Sequence, residues 1–185
     1  MPGLKRKGNA SEDAVLALYA ATLTQIRNPA FYIGASVPDT FDGRFDLLLL
    51  HVFLILQRLM DHPDYNELSQ SLFDTMFKDM DQTLREMGIG DMGVPKHMKR
   101  MMKAFNGRMH AYQEGLTQGD EVLKSALTRN LYGTVKELSP QALDKMVAYI
   151  HENVKDLKEQ DLNELAAGQI KFSEKGLGND GNDAE

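Results

Sequence analysis

The stretch Arg44-Phe45-Asp46-Leu47-Leu48-Leu49-Leu50-His51-Val52-Phe53-Leu54-Ile55-Leu56-Gln57-Arg58-Leu59-Met60 decides the fold. From Leu47 to Leu56 only His51 interrupts the apolar run, which is too short to span a bilayer. Wound as a helix, the segment is apolar nearly all round. Such a helix must be buried on every side by others. Asp42 is placed to cap it, and His62-Pro63 breaks the chain after it.

The flanking segments supply the partners that a central helix needs. Upstream, a helix is expected over about 12–26, with Ser11 as its cap and Asn28-Pro29 as its stop. Residues 34–43 read as a turn-rich loop. Downstream, Leu68, Leu72, Phe73, Met76, Phe77, Met80, Leu84 and Met87 follow helical spacing from about Tyr65 to Met87. Asp74/Lys78 and Asp81/Arg85 are spaced as i,i+4 ion pairs on its outer face. After the glycines of 88–93, Pro95 suits the first turn of a helix over about 96–116. Gly119-Asp120 restarts a helix that ends near Asn130 or Gly133. Ser139-Pro140 opens another, to about Val154, and a short one is expected over about 160–167. The spacing predicts an all-α, compact single-domain bundle of about six or seven helices. Residues 1–10 read as a flexible basic arm, 11–170 as the helical domain and 171–185 as a disordered acidic tail.

Composition narrows the function. The 185 residues carry a net charge of -6, 42% hydrophobic residues, no cysteine and 11 methionines. Such a charge argues against non-specific nucleic-acid binding by the whole surface. The missing cysteines exclude disulfides, thiolate metal sites and thiol nucleophiles. Methionine fills irregular cores and also lines adaptable binding surfaces. Lys5, Arg6 and Lys7 precede an apolar stretch, but Glu12 and Asp13 stand at the junction and no good signal-peptide cleavage site follows.

Motifs of catalysis fail at particular positions. Gly88-Ile89-Gly90-Asp91-Met92-Gly93 matches a dinucleotide fingerprint, but a helix precedes it where a strand is required. No Glu-x-x-His occurs as di-iron bundles need. Lys155 replaces the second histidine of a zinc-protease motif begun at His151-Glu152. No metal site, cofactor or catalytic residue is expected.

Two clusters remain. His51 reads as a neutral core histidine, and Asp79 falls on the apolar side of its helix, where a carboxylate should be paired. Arg44, His51, Asp74, Asp79 and Arg85 are the expected structural polar network, with Arg58 and Arg108 as further partners for Asp79. The second cluster spans 96–109. Met98, Met101, Met102, Phe105 and Met109 recur at i, i+3, i+4, i+7 and i+11, and Lys96, Lys99, Arg100 and Lys103 form the opposite face, with no acid between Met92 and Gln113. The apolar stripe faces a core or a groove. The basic face is a solvated surface or a docking face for an anionic membrane, ribosomal RNA or an acidic partner. Nothing in it reads bases specifically.

Longer blocks carry a resemblance. Asn28-Pro29-Ala30-Phe31-Tyr32 is followed by Val37-Pro38-Asp39-Thr40-Phe41-Asp42-Gly43-Arg44-Phe45-Asp46 and the leucines to His51. Next come 70–81 (Gln-Ser-Leu-Phe-Asp-Thr-Met-Phe-Lys-Asp-Met-Asp) and 84–91 (Leu-Arg-Glu-Met-Gly-Ile-Gly-Asp). Together they resemble the ubiquinol–cytochrome c chaperone family over about 16–132. Pro95 and Asn106 depart from its pattern, where glycine and an aromatic residue are expected. The family's motif residues fall here on Asp39, Asp42, Arg44, Asp46, His51, Asp74, Asp79, Arg85, Asp91 and Arg108.

The resemblance implies a non-catalytic, α-helical factor for assembly of respiratory complex III that binds newly made cytochrome b. The small partner subunit of mitochondrial relatives does not carry over. Without an Arg/Ser-rich transit peptide, a bacterial chain in the cytoplasm, peripheral to the inner membrane, is expected, or the matrix side if the chain is eukaryotic. Phe31, Tyr32, Met98, Met101, Met102, Phe105 and Arg108 are the expected client contacts. The alternative is a membrane or ribosome adaptor acting through 96–109, and behind it an enzyme using His51 with Asp79 or Asp74.

Overall fold

A computed structural model describes residues 12–177. The basic arm at 1–10, the Ser11 cap and the tail beyond residue 177 lie outside the described residues. The helices are α1 (Glu12–Gln25), α2 (Pro29–Ile33), α3 (Phe41–Leu59), α4 (Asn66–Glu86), α5 (Gly93–Gln118), α6 (Asp120–Asn130), α7 (Pro140–Glu159) and α8 (Leu162–Ala166), with a 3₁₀ turn at Pro63–Tyr65.

The bundle is built around α3, as its apolar circumference requires. Every residue from Leu47 to Ile55 is buried, and α1, α4, α5 and α7 pack around it. The cap is Thr40 rather than Asp42: its hydroxyl accepts from the Gly43 N–H at 3.0 Å. Asp42 instead lies in the first turn, where a carboxylate favours the helix dipole. Gly43 is dictated by packing, because a Cβ there would stand 2.0 Å from the Pro38 carbonyl oxygen.

Asn28-Pro29 ends one helix and starts another. The Asn28 side chain accepts from Ala30 N–H at 2.9 Å and Pro29 occupies the first turn of α2. The same two residues that stop α1 thus nucleate a short helix that periodicity alone does not reveal. At the far end of α4, Gly88 has φ +84. The Ile89 N–H reaches the Leu84 carbonyl at 3.1 Å and the Gly88 N–H the Arg85 carbonyl at 3.0 Å. This is a Schellman cap, and it accounts for the first glycine of the stretch that mimics a nucleotide fingerprint.

The first residues of the expected acidic tail, 171–177, are packed on the bundle. Residues 171–177 return along α7. Asn153, fully buried, donates to the Ser173 carbonyl at 3.1 Å and accepts from the Ser173 N–H at 2.9 Å. Gln160 holds Lys171 in the same two-way fashion. Phe172 and Leu177 are thereby buried. Two apolar residues and two side-chain amides suffice to order a segment that is otherwise polar.

Candidate functional site

The three elements that meet at the amino end of α3 leave a cleft of about 390 Å³ between them. Helix α3 contributes Phe41, Asp42, Phe45 and Asp46. Helix α5 contributes His97, Arg100, Met101, Ala104 and Arg108. The end of α6 and the turn after it add Arg129, Asn130, Leu131, Gly133 and Thr134, and Leu84 of α4 also faces it. The register explains the convergence. Residues 97, 100, 101, 104 and 108 lie on one side of α5, spaced by three, one, three and four.

Charge and aromatic surface alternate in this cleft. Arg108 Nη2 bonds Asp46 Oδ1 at 2.6 Å, with both side chains 17% exposed, and also reaches the Asn130 carbonyl at 3.4 Å. Burial pushes the Asp46 carboxyl up to about 6, against the opposing pull of Arg108. Behind this pair, Arg108 Nε and the fully buried Tyr112 hydroxyl have no hydrogen-bond partner among the described residues. Arg100 Nη2 donates to His97 Nδ1 at 2.9 Å. Arg129 is exposed, and Phe41 is 39% exposed. The cleft can therefore grip a polypeptide that offers both an apolar side chain and hydrogen-bond or charge partners.

The expected polar network does not form as one unit. His51 is fully buried, and its Nδ1–H donates to the Leu47 carbonyl at 2.8 Å. Its Nε2 accepts from the Tyr149 hydroxyl at 2.7 Å, which in turn accepts from Gln25 at 3.2 Å. Phe31, Tyr149 and Phe172 surround the ring, and burial lowers its pKa to about 4. Asp79 pairs elsewhere, accepting from the Tyr19 hydroxyl at 2.7 Å. Arg44 bonds Asp39 at 2.7 Å and lies 5.4 Å over the Tyr32 ring. Arg85 bridges Asp81 and Asp91. Asp74 is exposed and accepts from Gln70 rather than pairing with Lys78. Arg58 caps α7 by donating to the Leu157 and Gln160 carbonyls. Separate helix faces divide these residues among local partners, so His51 does not converge with Asp79 or Asp74 in an open pocket.

The expected client contacts divide likewise. Phe31 is fully buried and Phe105 is 4% exposed, packed on Phe73 and Phe77 of α4. Phe105 is core because the Met/Phe stripe of α5 is the face turned to α3 and α4, and Phe31 is core because α2 sets it against His51 of α3 and Tyr149 of α7. Met98 is half-buried against that core, whereas Met102 is 44% exposed. Tyr32 is half-buried, with its hydroxyl on the Ile26 carbonyl. Met101 and Arg108 line the cleft. Lys96, Lys99 and Lys103 are exposed, and Arg100 turns towards the cleft. Phe41 and Arg129 are cleft residues that the sequence pattern does not single out as contacts. Phe41 sits in one of the blocks that carry the family resemblance, whereas nothing in the sequence signals Arg129.

An all-helical bundle with a mixed aromatic and ionic cleft is the class of architecture this chain defines. It belongs to the ubiquinol-cytochrome C chaperone family, whose model matches residues 34–172. Among its relatives is ubiquinol-cytochrome-c reductase complex assembly factor 1 of Xenopus laevis, 28% identical over 82% of this chain and 76% of that protein. Another is the mitochondrial protein CBP3 of Saccharomyces cerevisiae, 29% identical over 80% of this chain and 45% of that protein. The chain spans about half the length of several such relatives, including the mouse and human assembly factors at 54% and 48%. The crystal structure of the Cbp3 homolog from Brucella abortus superposes with a TM-score of 0.78, at 40% identity over 91% of this chain and 93% of that one.

Proposed function

We propose that this chain is an assembly chaperone of the ubiquinol–cytochrome c reductase, respiratory complex III, and that it holds its client at the cleft between α3, α5 and the end of α6. The observation that carries the reading is the cleft itself. It lies within the family-matched segment and joins an exposed phenylalanine to a partly buried ion pair and further cations. The names of the relatives supply the complex. Newly made cytochrome b is the client we infer, since a chain rich in apolar helices needs aromatic and thioether contacts beside polar ones. The protein acts by binding and transforms nothing. In a bacterium it works from the cytoplasm, beside the membrane that holds the complex. Among the described residues no helix is long and apolar enough to cross that membrane.

Two measurements test this. Deleting the gene should lower assembled complex III and cytochrome b while leaving other respiratory complexes intact; a general loss of all complexes would overturn the assignment. A photo-crosslinking residue at position 41 should capture cytochrome b in cells making complex III. Position 41 serves better than the buried Met101. Capture of cytochrome b from a site on α7 far from the cleft, but not from position 41, would remove the cleft from the account.

A further inference from the structure

The outer edge of α5 is not used by the cleft. Counted from the residue before the helix, Met92, Lys96, Lys99, Lys103, Asn106 and His110 fall at i, i+4, i+7, i+11, i+14 and i+18. At about 100° per residue these positions form one straight line along the helix, and all six are exposed. The inward line of Val94, Met101, Phe105 and Tyr112 is buried. None of the three lysines has an ion pair or hydrogen bond among the described residues, although the chain is net negative. The acids nearest the start of the line, though exposed, are engaged within the chain. In the corner before α5, Asp91 is held by Arg85 at 2.7 Å and Glu86 by Gln82 at 2.8 Å.

A second feature lies at the end of this line. Met92 is 95% exposed, and Met87, across the same α4–α5 corner, is 56% exposed. Two large apolar side chains stand in the open where the lysine line begins. A solvated basic face has no use for such a tip. A nucleic-acid backbone would gain nothing from it, whereas a bilayer interface accepts apolar side chains just below the headgroups and lysines among them.

We infer that the outer edge of α5 and the α4–α5 corner dock the protein on an anionic membrane surface. Met87 and Met92 enter the acyl boundary, and Lys96, Lys99 and Lys103 meet lipid phosphates over about 10 Å of helix. This inference rests on the membrane-side placement proposed above and adds the surface that achieves it. The cleft residues lie on another side of α5, so a docked molecule keeps the cleft open to a client emerging at the membrane.

The test is flotation of the full chain with phosphatidylglycerol–phosphatidylcholine vesicles and with phosphatidylcholine vesicles, at low and high salt. The chain should bind the anionic vesicles only, and more weakly as salt rises. Lys96→Gln/Lys99→Gln/Lys103→Gln should weaken binding roughly 100-fold, at about fivefold per lysine, and the corresponding triple Arg variant should retain it. Met92→Ser should cost about tenfold where Met92→Leu costs nothing. Circular dichroism confirms that each variant is folded. Equal binding to phosphatidylcholine, full binding by the Gln variant, or binding to ribosomal RNA but to neither vesicle would overturn the inference. None of those results would touch the chaperone reading, which complex III levels in the deletion strain decide.

Discussion

Two polar constellations in this molecule, the fully buried His51 in the middle of α3 and the half-buried Asp46–Arg108 pair at its start, are built on opposite terms. Around His51 every polar atom is answered: Leu47 accepts from one ring nitrogen, Tyr149 donates to the other, and Gln25 donates to Tyr149. Around Asp46–Arg108 the pair is made, but Arg108 Nε and the Tyr112 hydroxyl are left over, and the pair borders a cleft. A fully satisfied polar group in a core specifies one packing and does little else. A partly satisfied one beside a cleft holds hydrogen-bonding capacity that a ligand or water can use. The same helix thus supplies a structural site and, about one turn and a half earlier, the site we propose to be functional.

Removing the satisfied site should cost most. His51→Ala leaves a cavity between Phe31, Tyr149 and Phe172 and strands the Tyr149 hydroxyl, so unfolding free energy should fall by about 3–4 kcal/mol. Urea denaturation followed by circular dichroism measures this. A loss below about 1 kcal/mol would mean that the histidine is not the core group described here.

The two sites also pull in opposite directions with pH. The folded pKa of His51, about 4, lies below its ordinary 6.5. Its contribution is present above pH 6.5 and is lost as pH falls towards 4, because folding then excludes a proton that the unfolded chain binds. The folded pKa of Asp46, about 6, lies above its ordinary 3.8. Its contribution is fully present below 3.8 and is lost as pH rises through 6. Each difference corresponds to about 3 kcal/mol, so within this window they largely cancel. His51→Gln should therefore gain stability relative to wild type as pH drops from 6.5 to 4, and Asp46→Asn should lose it. Parallel profiles for all three proteins would break the comparison.

Arg108→Ala should cost about 2 kcal/mol at neutral pH, less than a fully buried pair would, because both partners retain some solvent. Asp46→Leu/Arg108→Met should restore most of that loss. If the double variant also restored assembly of complex III, the ion pair would be mere scaffolding and the contrast between the two sites would fail.

The sequence made some of this legible and hid the rest for physical reasons. The apolar circumference of 47–55 announced a central helix, and the stripe on α5 fixed which face turns inward. Periodicity assigns a residue to a face but cannot say what covers that face. Hence Phe31 and Phe105 read equally well as groove or core, and packing against α3, α4 and α7 made them core. Pairing was less visible still. Asp79 needs a partner on the apolar side of its helix and has one, but Tyr19 comes from another helix 60 residues away. Arg129 reaches the cleft only because α6 folds back along α5 after Gly119, a geometry no local pattern encodes. Small two-way amide bonds at Asn153 and Gln160 order 171–177, although its polar composition points to a disordered tail.

The smallest stability effect should accompany a large functional one, and this separates the two sites most sharply. Phe41 is 39% exposed at the first position of α3, so Phe41→Leu keeps most of the apolar surface it buries and should change unfolding free energy by about 1 kcal/mol at most. At the cleft the same change deletes the exposed aromatic that a client would bury. Aromatic anchors of this kind often carry about 2 kcal/mol or more of a binding interface. Complex III should therefore fall several-fold in cells carrying Phe41→Leu, with the variant itself near normal abundance and melting temperature. His51→Ala would show the reverse order of causes, with protein abundance falling first and complex III following it. If Phe41→Leu lowered complex III only in proportion to its own abundance, the cleft would be one more part of the scaffold, and the client would have to be sought on another face of the bundle.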